Sequence, residues 1–168
     1  MPQTEQRHCF AVLVHNEPGI LARIAGLFSG RGYNIDSLTV SEVDEEAHSS
    51  RLNIVTRGTA AVIEQIRAQL GRLIPVQRVA DLTTQGDVIE RDLALLKVSV
   101  TEQNRAAIMK HAEQSKAHPV YVGKNTMIFE LAGHPDDIDT LVGLLRPLGL
   151  IEISRTGVAA IGRGDETL

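Results

Sequence analysis

The chain has 168 residues, with 17 Lys and Arg against 21 Asp and Glu, a net charge of −4. With 43% hydrophobic and 23% charged residues its composition is that of a globular protein, and the acidic balance lacks the cationic footprint of nucleic-acid binding. No apolar run approaches the ~20 residues of a membrane span, Met1–His8 holds no apolar signal core, and a single cysteine, Cys9, excludes an internal disulfide framework and a thiolate metal cluster. The chain therefore reads as cytoplasmic. With no Trp, three Phe and two Tyr, a base- or sugar-stacking surface is not expected.

Phe10 to Val14 is a short apolar run of buried-strand type. Asn16-Glu17-Pro18-Gly19 follows, and a helix is expected to start there, with Asn as cap and Pro in the first turn. Ile20, Leu21, Ile24, Leu27 and Phe28 share one helical face, and Gly30 and Gly32 stop it. Ile35 to Val43 reads as a strand, Asp44-Glu45-Glu46 as a charged hairpin tip, and Leu52 to Val55 as a third strand ended by Gly58. Val62, Ile63, Ile66, Leu70 and Leu73 return to helical spacing before Pro75, and Val76 to Leu82 makes a fourth strand.

The polar stretch Thr84–Arg91 reads as a linker, after which the order repeats. Leu93–Val100 is a strand, and Asn104–Ser115 a helix with Ile108, Met109 and Ala112 inward. Val120–Val122 and Met127–Leu131 form a hairpin around Gly123-Lys124-Asn125. Pro135–Leu145 is a helix, and Leu150–Ile161 is mainly strand. The expected architecture is α+β, two tandem ferredoxin-like βαββαβ units. Its parts are a tail at 1–7, a first unit at 8–83, a linker at 84–91 and a second unit at 92–168. Units of this size have marginal cores and leave a sheet face and edges open, so a homodimer is expected.

Catalytic chemistry is absent from the pattern. His8, His15, His48, His111, His118 and His134 are scattered, without the i, i+4 spacing of a zinc site. Gly30-Arg31-Gly32 follows a helix and lacks the third glycine of a dinucleotide fingerprint. No phosphate-binding loop is present, and Cys9 sits within an apolar strand. Asp44, Glu45 and Glu46 suit a solvated turn, and Asp136, Asp137 and Asp139 suit a helix N-terminus. No nucleophile–base pair emerges, so a non-catalytic chain with no metal or cofactor of its own is expected.

One place carries binding chemistry. The turn Asn16–Gly19 leads into a helix N-terminus, where unpaired N–H groups and the positive dipole end suit an anion, and Gly19 allows close approach. Asn34 opens the next strand, and its amide can serve a carboxylate or an ammonium. From spacing alone both are more readily read as local devices, Asn16 as a cap and Asn34 as a turn former.

The run from Asn16 to Val40, NEPGILARIAGLFSGRGYNIDSLTV, closely resembles the opening of the small regulatory subunit of acetohydroxyacid (acetolactate) synthase. Leu27 to Val40 carries the family's most characteristic stretch. Ser154-Arg155-Thr156-Gly157-Val158-Ala159-Ala160-Ile161 with Arg163-Gly164 is similar to its C-terminal motif, and Arg91 to Val98 after the linker matches as well. The resemblance covers essentially the whole chain. It implies that the first unit is an ACT domain, an amino-acid-sensing ferredoxin-like fold. Two such domains pair, and the effector, usually valine, lies at their interface.

Carried over position by position, the resemblance implies effector-binding residues Asn16, Gly19, Ile20, Leu21, Asn34 and Ile35. Ala22 departs from members with Ser there, and the residues around Asn16 (His15, Glu17, Pro18) vary. The implied partner is a large catalytic subunit that uses thiamine diphosphate, Mg²⁺ and FAD to make acetolactate in branched-chain amino acid synthesis. This chain would activate it and confer end-product inhibition by linkage, valine favouring one arrangement of the ACT pair. Three other readings compete. An acylphosphatase-like enzyme would need an Arg in the first loop, which holds Asn16 and Glu17. An RNA-binding module would need aromatic residues where Leu, Ile and Val stand. A free-standing amino-acid sensor is the nearest rival.

Overall fold

Strand β1 (Gln6–His15) shows why the first unit forms a two-faced sheet. Phe10, Val12 and Val14 point to one side, Cys9 and Ala11 to the other, and all five are buried. In the computed structural model, which describes residues 4–168, β1 lies between β3 (Ser49–Gly58) and β4 (Val76–Asp81). Strand β2 (Ser37–Asp44) adds to β3, giving an antiparallel sheet of order β2-β3-β1-β4. Of the expected tail 1–7, residues 1–3 lie outside the described residues, and Gln6 and Arg7 already belong to β1.

Helices α1 (Ile20–Ser29) and α2 (Ala60–Leu70) cover one face. Ile20, Ile24, Leu27 and Phe28 of α1 and Ile63, Ile66 and Leu70 of α2 pack on Phe10, Val12, Val14, Leu52 and Ile54. The 3.6-residue and two-residue periods thus meet in one core. On the other face Cys9, Ala11, Val55 and Ala80 form a second buried cluster with Leu82, Val158 and Ala160.

That second cluster reaches across the expected division of the chain. The molecule separates into Met1–Ile89 with Val158–Leu168, and Glu90–Gly157. Residues 158–168, assigned from the sequence to the second unit at 92–168, cluster with the first. Hydrogen bonds to β2 and β3 hold them there, and Arg163 N donates to Asp87 O (2.9 Å). Val158 N donates to Ser37 Oγ (2.8 Å), Thr39 Oγ1 to Val158 O (3.0 Å), and Arg51 Nη2 to Ala160 O (2.7 Å). The sheet face expected to need a dimer partner is covered by the chain itself, while β2 and β4 remain outer strands.

The unit Glu90–Gly157 repeats the topology. Strand β5 (Val88–Ser99) is followed by α3 (Arg105–Gln114), β6 (His118–Val122), β7 (Thr126–Gly133), α4 (Pro135–Leu145) and β8 (Leu150–Arg155). The path β6-β7-β5-β8 has the order of the first sheet; a short β9 (Ala159–Gly162) belongs to the 158–168 segment of the first unit. The architecture is α+β with two βαββαβ units, as the element order indicated. Ala94, Leu96 and Val98 form the core with Ile108, Ala112, Phe129, Ile138, Leu141 and Leu145. Two expectations shift. The linker 84–91 is shorter, because β5 already begins at Val88. Met109 is 39% exposed rather than inward, since the inward line of α3 is the i, i+4 pair Ile108 and Ala112.

Candidate functional site

Helix α1 does not begin at Asn16. Glu17-Pro18-Gly19-Ile20 is a type II turn: Ile20 N donates to Glu17 O (3.2 Å), and Gly19 has φ +86° and ψ −1°. Pro18 presets the second position of that turn and only glycine adopts the third without strain. The Pro-Gly dipeptide is the signature that the cap reading passed over. Asn16 therefore caps nothing; its N–H donates to His48 O (2.6 Å) and His15 N donates to Pro75 O (2.8 Å). These bonds tie the turn to the ends of β1, β3 and β4.

The consequence is a helix start with no side chain on it. Gly19 is the N-cap residue, no side chain caps α1, and its first turn holds no acid. A Cβ built on Gly19 would meet nothing within 4 Å, so the backbone there is open. The dipole end lies at that opening, with the Ile20 N–H already given to Glu17 O and the next N–H groups of the first turn behind it. Ile20 is buried in the core and Leu21 is 44% exposed beside the turn. Ile20 thus anchors the turn, while Leu21 offers apolar surface outward.

Asn34 and Ile35 are elsewhere. Asn34 Nδ2 donates to Asp36 Oδ1 (2.7 Å), and Asp36 Oδ2 accepts from Arg57 Nε (2.9 Å). Asn34 O accepts from Thr56 Oγ1 (2.6 Å), and Thr56 is paired with His8 on β1. The Asn16 turn is bonded to His48, beside the His15–Ser49 pair at the other end of β1. From His8 to His15 the strand advances roughly 23 Å at ~3.3 Å per residue. Within one chain the six sequence-derived positions therefore form two groups, Asn16, Gly19, Ile20 and Leu21 at the start of α1, and Asn34 and Ile35 beyond its end.

Other polar groups are structural devices. His8 Nδ1 and Asp81 Oδ2 lie 2.7 Å apart in a buried pair, and Asp81 Oδ1 accepts from Thr83 N, fixing the turn after β4. Nothing in the spacing of His8 and Asp81, 73 positions apart, announced this pair. His134 caps α4, its Nδ1 accepting from Asp136 N (3.3 Å), and Asp136 and Asp137 occupy the first turn as the dipole favours. In the motif Arg155-Thr156-Gly157, Arg155 Nε donates to the buried Asp92 (2.8 Å) and Thr156 N to Leu93 O (3.0 Å). Burial opposes the charge of Arg155, but hydrogen bonds to Asp139 and Asp92 outweigh it and hold its pKa above the ordinary value. Among the described residues no group of three His, Cys, Asp or Glu gathers as a metal site requires, and no helix is long and apolar enough to cross a membrane.

Comparison with known proteins agrees with the fold. Residues 10–78 match an ACT domain of the kind found in acetohydroxyacid synthase small subunits, and residues 91–164 match the small subunit of acetolactate synthase. The probable acetolactate synthase small subunit of Archaeoglobus fulgidus is 38% identical over 160 residues, 95% of this chain and 99% of the relative. The isozyme 3 small subunit of Escherichia coli is 36% identical over 163 residues, 96% of this chain and 99% of the relative. The crystal structure of the acetolactate synthase small subunit from Thermotoga maritima superposes with a TM-score of 0.84 at 33% identity, covering 96% of this chain and 99% of that one. With its ACT domain, its second βαββαβ unit and relatives matched end to end, the chain belongs to the family of acetolactate synthase small subunits.

Proposed function

We propose that the chain is a non-catalytic regulatory subunit, acting in the cytoplasm, that activates a separate large subunit of acetolactate synthase and makes it sensitive to valine. The relatives' names supply the partner. Thiamine diphosphate, Mg²⁺ and FAD belong in this reading to that large subunit, and the present chain supplies none of the catalytic groups.

The observation that carries the effector assignment is the split of the six positions over the two ends of α1. A ten-residue helix is about 15 Å long, too long for one amino acid to bridge. A two-fold axis crossing α1 near its middle sets two copies antiparallel. It places the Gly19 turn of one copy beside Asn34 of the other, and the two halves then make two complete sites. Strand β2 is an outer strand with Val40 and Val43 exposed, and α1 presents Ala22 and Gly26 outward, small enough for close helix approach. In the homodimer the valine carboxylate takes the N–H groups of the uncapped helix start, the partner's amide takes the ammonium, and Leu21 and Ile35 flank the side chain. Charge-assisted hydrogen bonds contribute roughly 1.5–3 kcal/mol each, and a buried valine side chain about as much. That is enough for micromolar to low-millimolar affinity after the loss of ligand freedom.

The free-standing sensor remains the rival, and capture from cell extract separates the two. A tagged chain should retain the thiamine-diphosphate enzyme, and mixing the purified subunits should raise acetolactate formation and make it valine-sensitive. A chain that binds valine but neither retains nor stimulates that enzyme is a sensor alone.

A further inference from the structure

A groove of about 380 Å³ lies on the first unit, between the sheet face opposite α1 and residues 161–168. Its floor carries two guanidinium groups at one level of the sheet. Arg51 on β3 and Arg78 on β4 are both paired with Leu13 of β1, so they flank it from either side. Arg51 spends one of its five N–H donors on Ala160 O (2.7 Å), which fixes it beneath the covering segment. Among the described residues no carboxylate hydrogen-bonds or pairs with either guanidinium. The wall opposite holds the backbone of Gly162 and Gly164, the latter at φ +106°, and one acid, Glu166. Leu82, Ile161 and Leu168 add an apolar strip to the wall, beside the polar Gln85 and Thr167.

Arg51 and Arg78 stand two strands apart, about 10 Å at ~4.8 Å per strand, a gap that a carboxylate between two long guanidinium side chains can bridge. Here two guanidinium groups face a single side-chain carboxylate, that of Glu166, and three aliphatic side chains stand beside them. We infer that this groove is a second ligand site, for a small organic monoanion with a carboxylate head and a short aliphatic body. The carboxylate lies between Arg51 and Arg78, whose planar forks match it geometrically, and the aliphatic body lies against Leu82, Ile161 and Leu168. This site is on the opposite face of the sheet from the turn at Gly19, so it is independent of the proposed valine site.

The test uses the full chain, with isobutyrate and inorganic phosphate as probes at constant ionic strength, followed through the backbone amide resonances of Gly162 and Gly164. Isobutyrate should shift both amides saturably. Arg78→Gln should weaken it at least tenfold with the unfolding temperature unchanged, because Arg78 is exposed and bonds to no side chain among the described residues, and Arg72→Gln on the neighbouring surface should leave binding intact. Valine added at saturation should leave the isobutyrate shifts in place, so failure of one site is read separately from failure of the other. Linear, non-saturating shifts with either anion, or an Arg78→Gln chain that binds normally, would overturn the site. Saturable binding of phosphate without isobutyrate would overturn the carboxylate assignment.

Discussion

Gly19→Asp tests the placement of the effector carboxylate, and the structure sets what it should do. A residue at φ +86° is in the left-handed region, which costs a side chain roughly 1–2 kcal/mol, with Asp at the lower end. An acid at an uncapped helix start recovers about 0.3–1 kcal/mol from the dipole, and nothing lies within 4 Å of the new Cβ. The net loss is then on the order of 1 kcal/mol or less, a fall of about 2–4 °C in unfolding temperature for a chain of this length. The fold and the dimer should survive.

The ligand suffers more. The new carboxylate occupies and repels the place proposed for the effector's own. Loss of even one charge-assisted hydrogen bond of 1.5 kcal/mol or more shifts binding over tenfold. Gly19→Ala carries at least as much backbone strain without the charge, so any further loss of valine response in Gly19→Asp is electrostatic. The assay is valine inhibition of the reconstituted enzyme, with direct titration of the isolated subunit by calorimetry. Gly19→Asp should still stimulate the catalytic subunit while its inhibition midpoint rises more than tenfold, with Gly19→Ala between it and the parent. If Gly19→Asp is inhibited at the parent midpoint, the effector does not bind at this helix start.

Asn34→Ala removes one amide while Asp36 keeps Arg57, so valine binding should weaken several-fold, less than in Gly19→Asp, with unfolding unchanged; equal loss of stability and binding would mark Asn34 as structural only. Deletion of residues 158–168 uncovers the cluster around Cys9, which is 0% exposed in the full chain. Cys9 should turn from inert to reactive toward a thiol reagent, and protection that persists would show that the segment does not cover that face. Asp92→Asn replaces a buried carboxylate bonded to Arg155 and should lower stability by about 1.5 kcal/mol. That is the low end for a charge-assisted bond, because the Arg155 side chain is 31% exposed and keeps Asp139. Thermal unfolding at the parent temperature would show that pair to be idle.

Elements with a strong period were legible from the residues. Ile24, Leu27 and Phe28, or Ile138, Leu141, Val142 and Leu145, mark a helix face without ambiguity, and both are buried as read. Turn chemistry was half legible: Pro18-Gly19 fixes where α1 begins, yet Asn16 offers an equally good cap by type, and only the φ of Gly19 decides. What spacing could not reveal is contact across long separation. The bonds of Val158 to Ser37 and Thr39 span 121 and 119 residues, and a strand of Ala159-Ala160-Ile161-Gly162 carries no mark of the sheet it covers. The same limit hid the division of the six positions, because Asn16 and Asn34 are close in sequence and far apart along the sheet.

That separation is also what makes the proposed site a regulatory one. A site complete within one chain would bind its ligand with no effect on pairing. A site built from the helix start of one copy and Asn34 of the other exists only in the pair, so every valine bound adds its free energy to that arrangement. Two sites each filled at a hundredfold excess over Kd contribute about 2.7 kcal/mol apiece to the paired state. A population shift from 1:99 to 99:1 takes about 5.5 kcal/mol, close to that sum. The catalytic subunit need only prefer the unliganded arrangement for valine to weaken its activation, and by reciprocity its binding must weaken valine equally. Measuring valine affinity with and without the large subunit tests that equality: the ratio should match the factor by which valine weakens the complex between the subunits, and unequal factors would exclude the linkage.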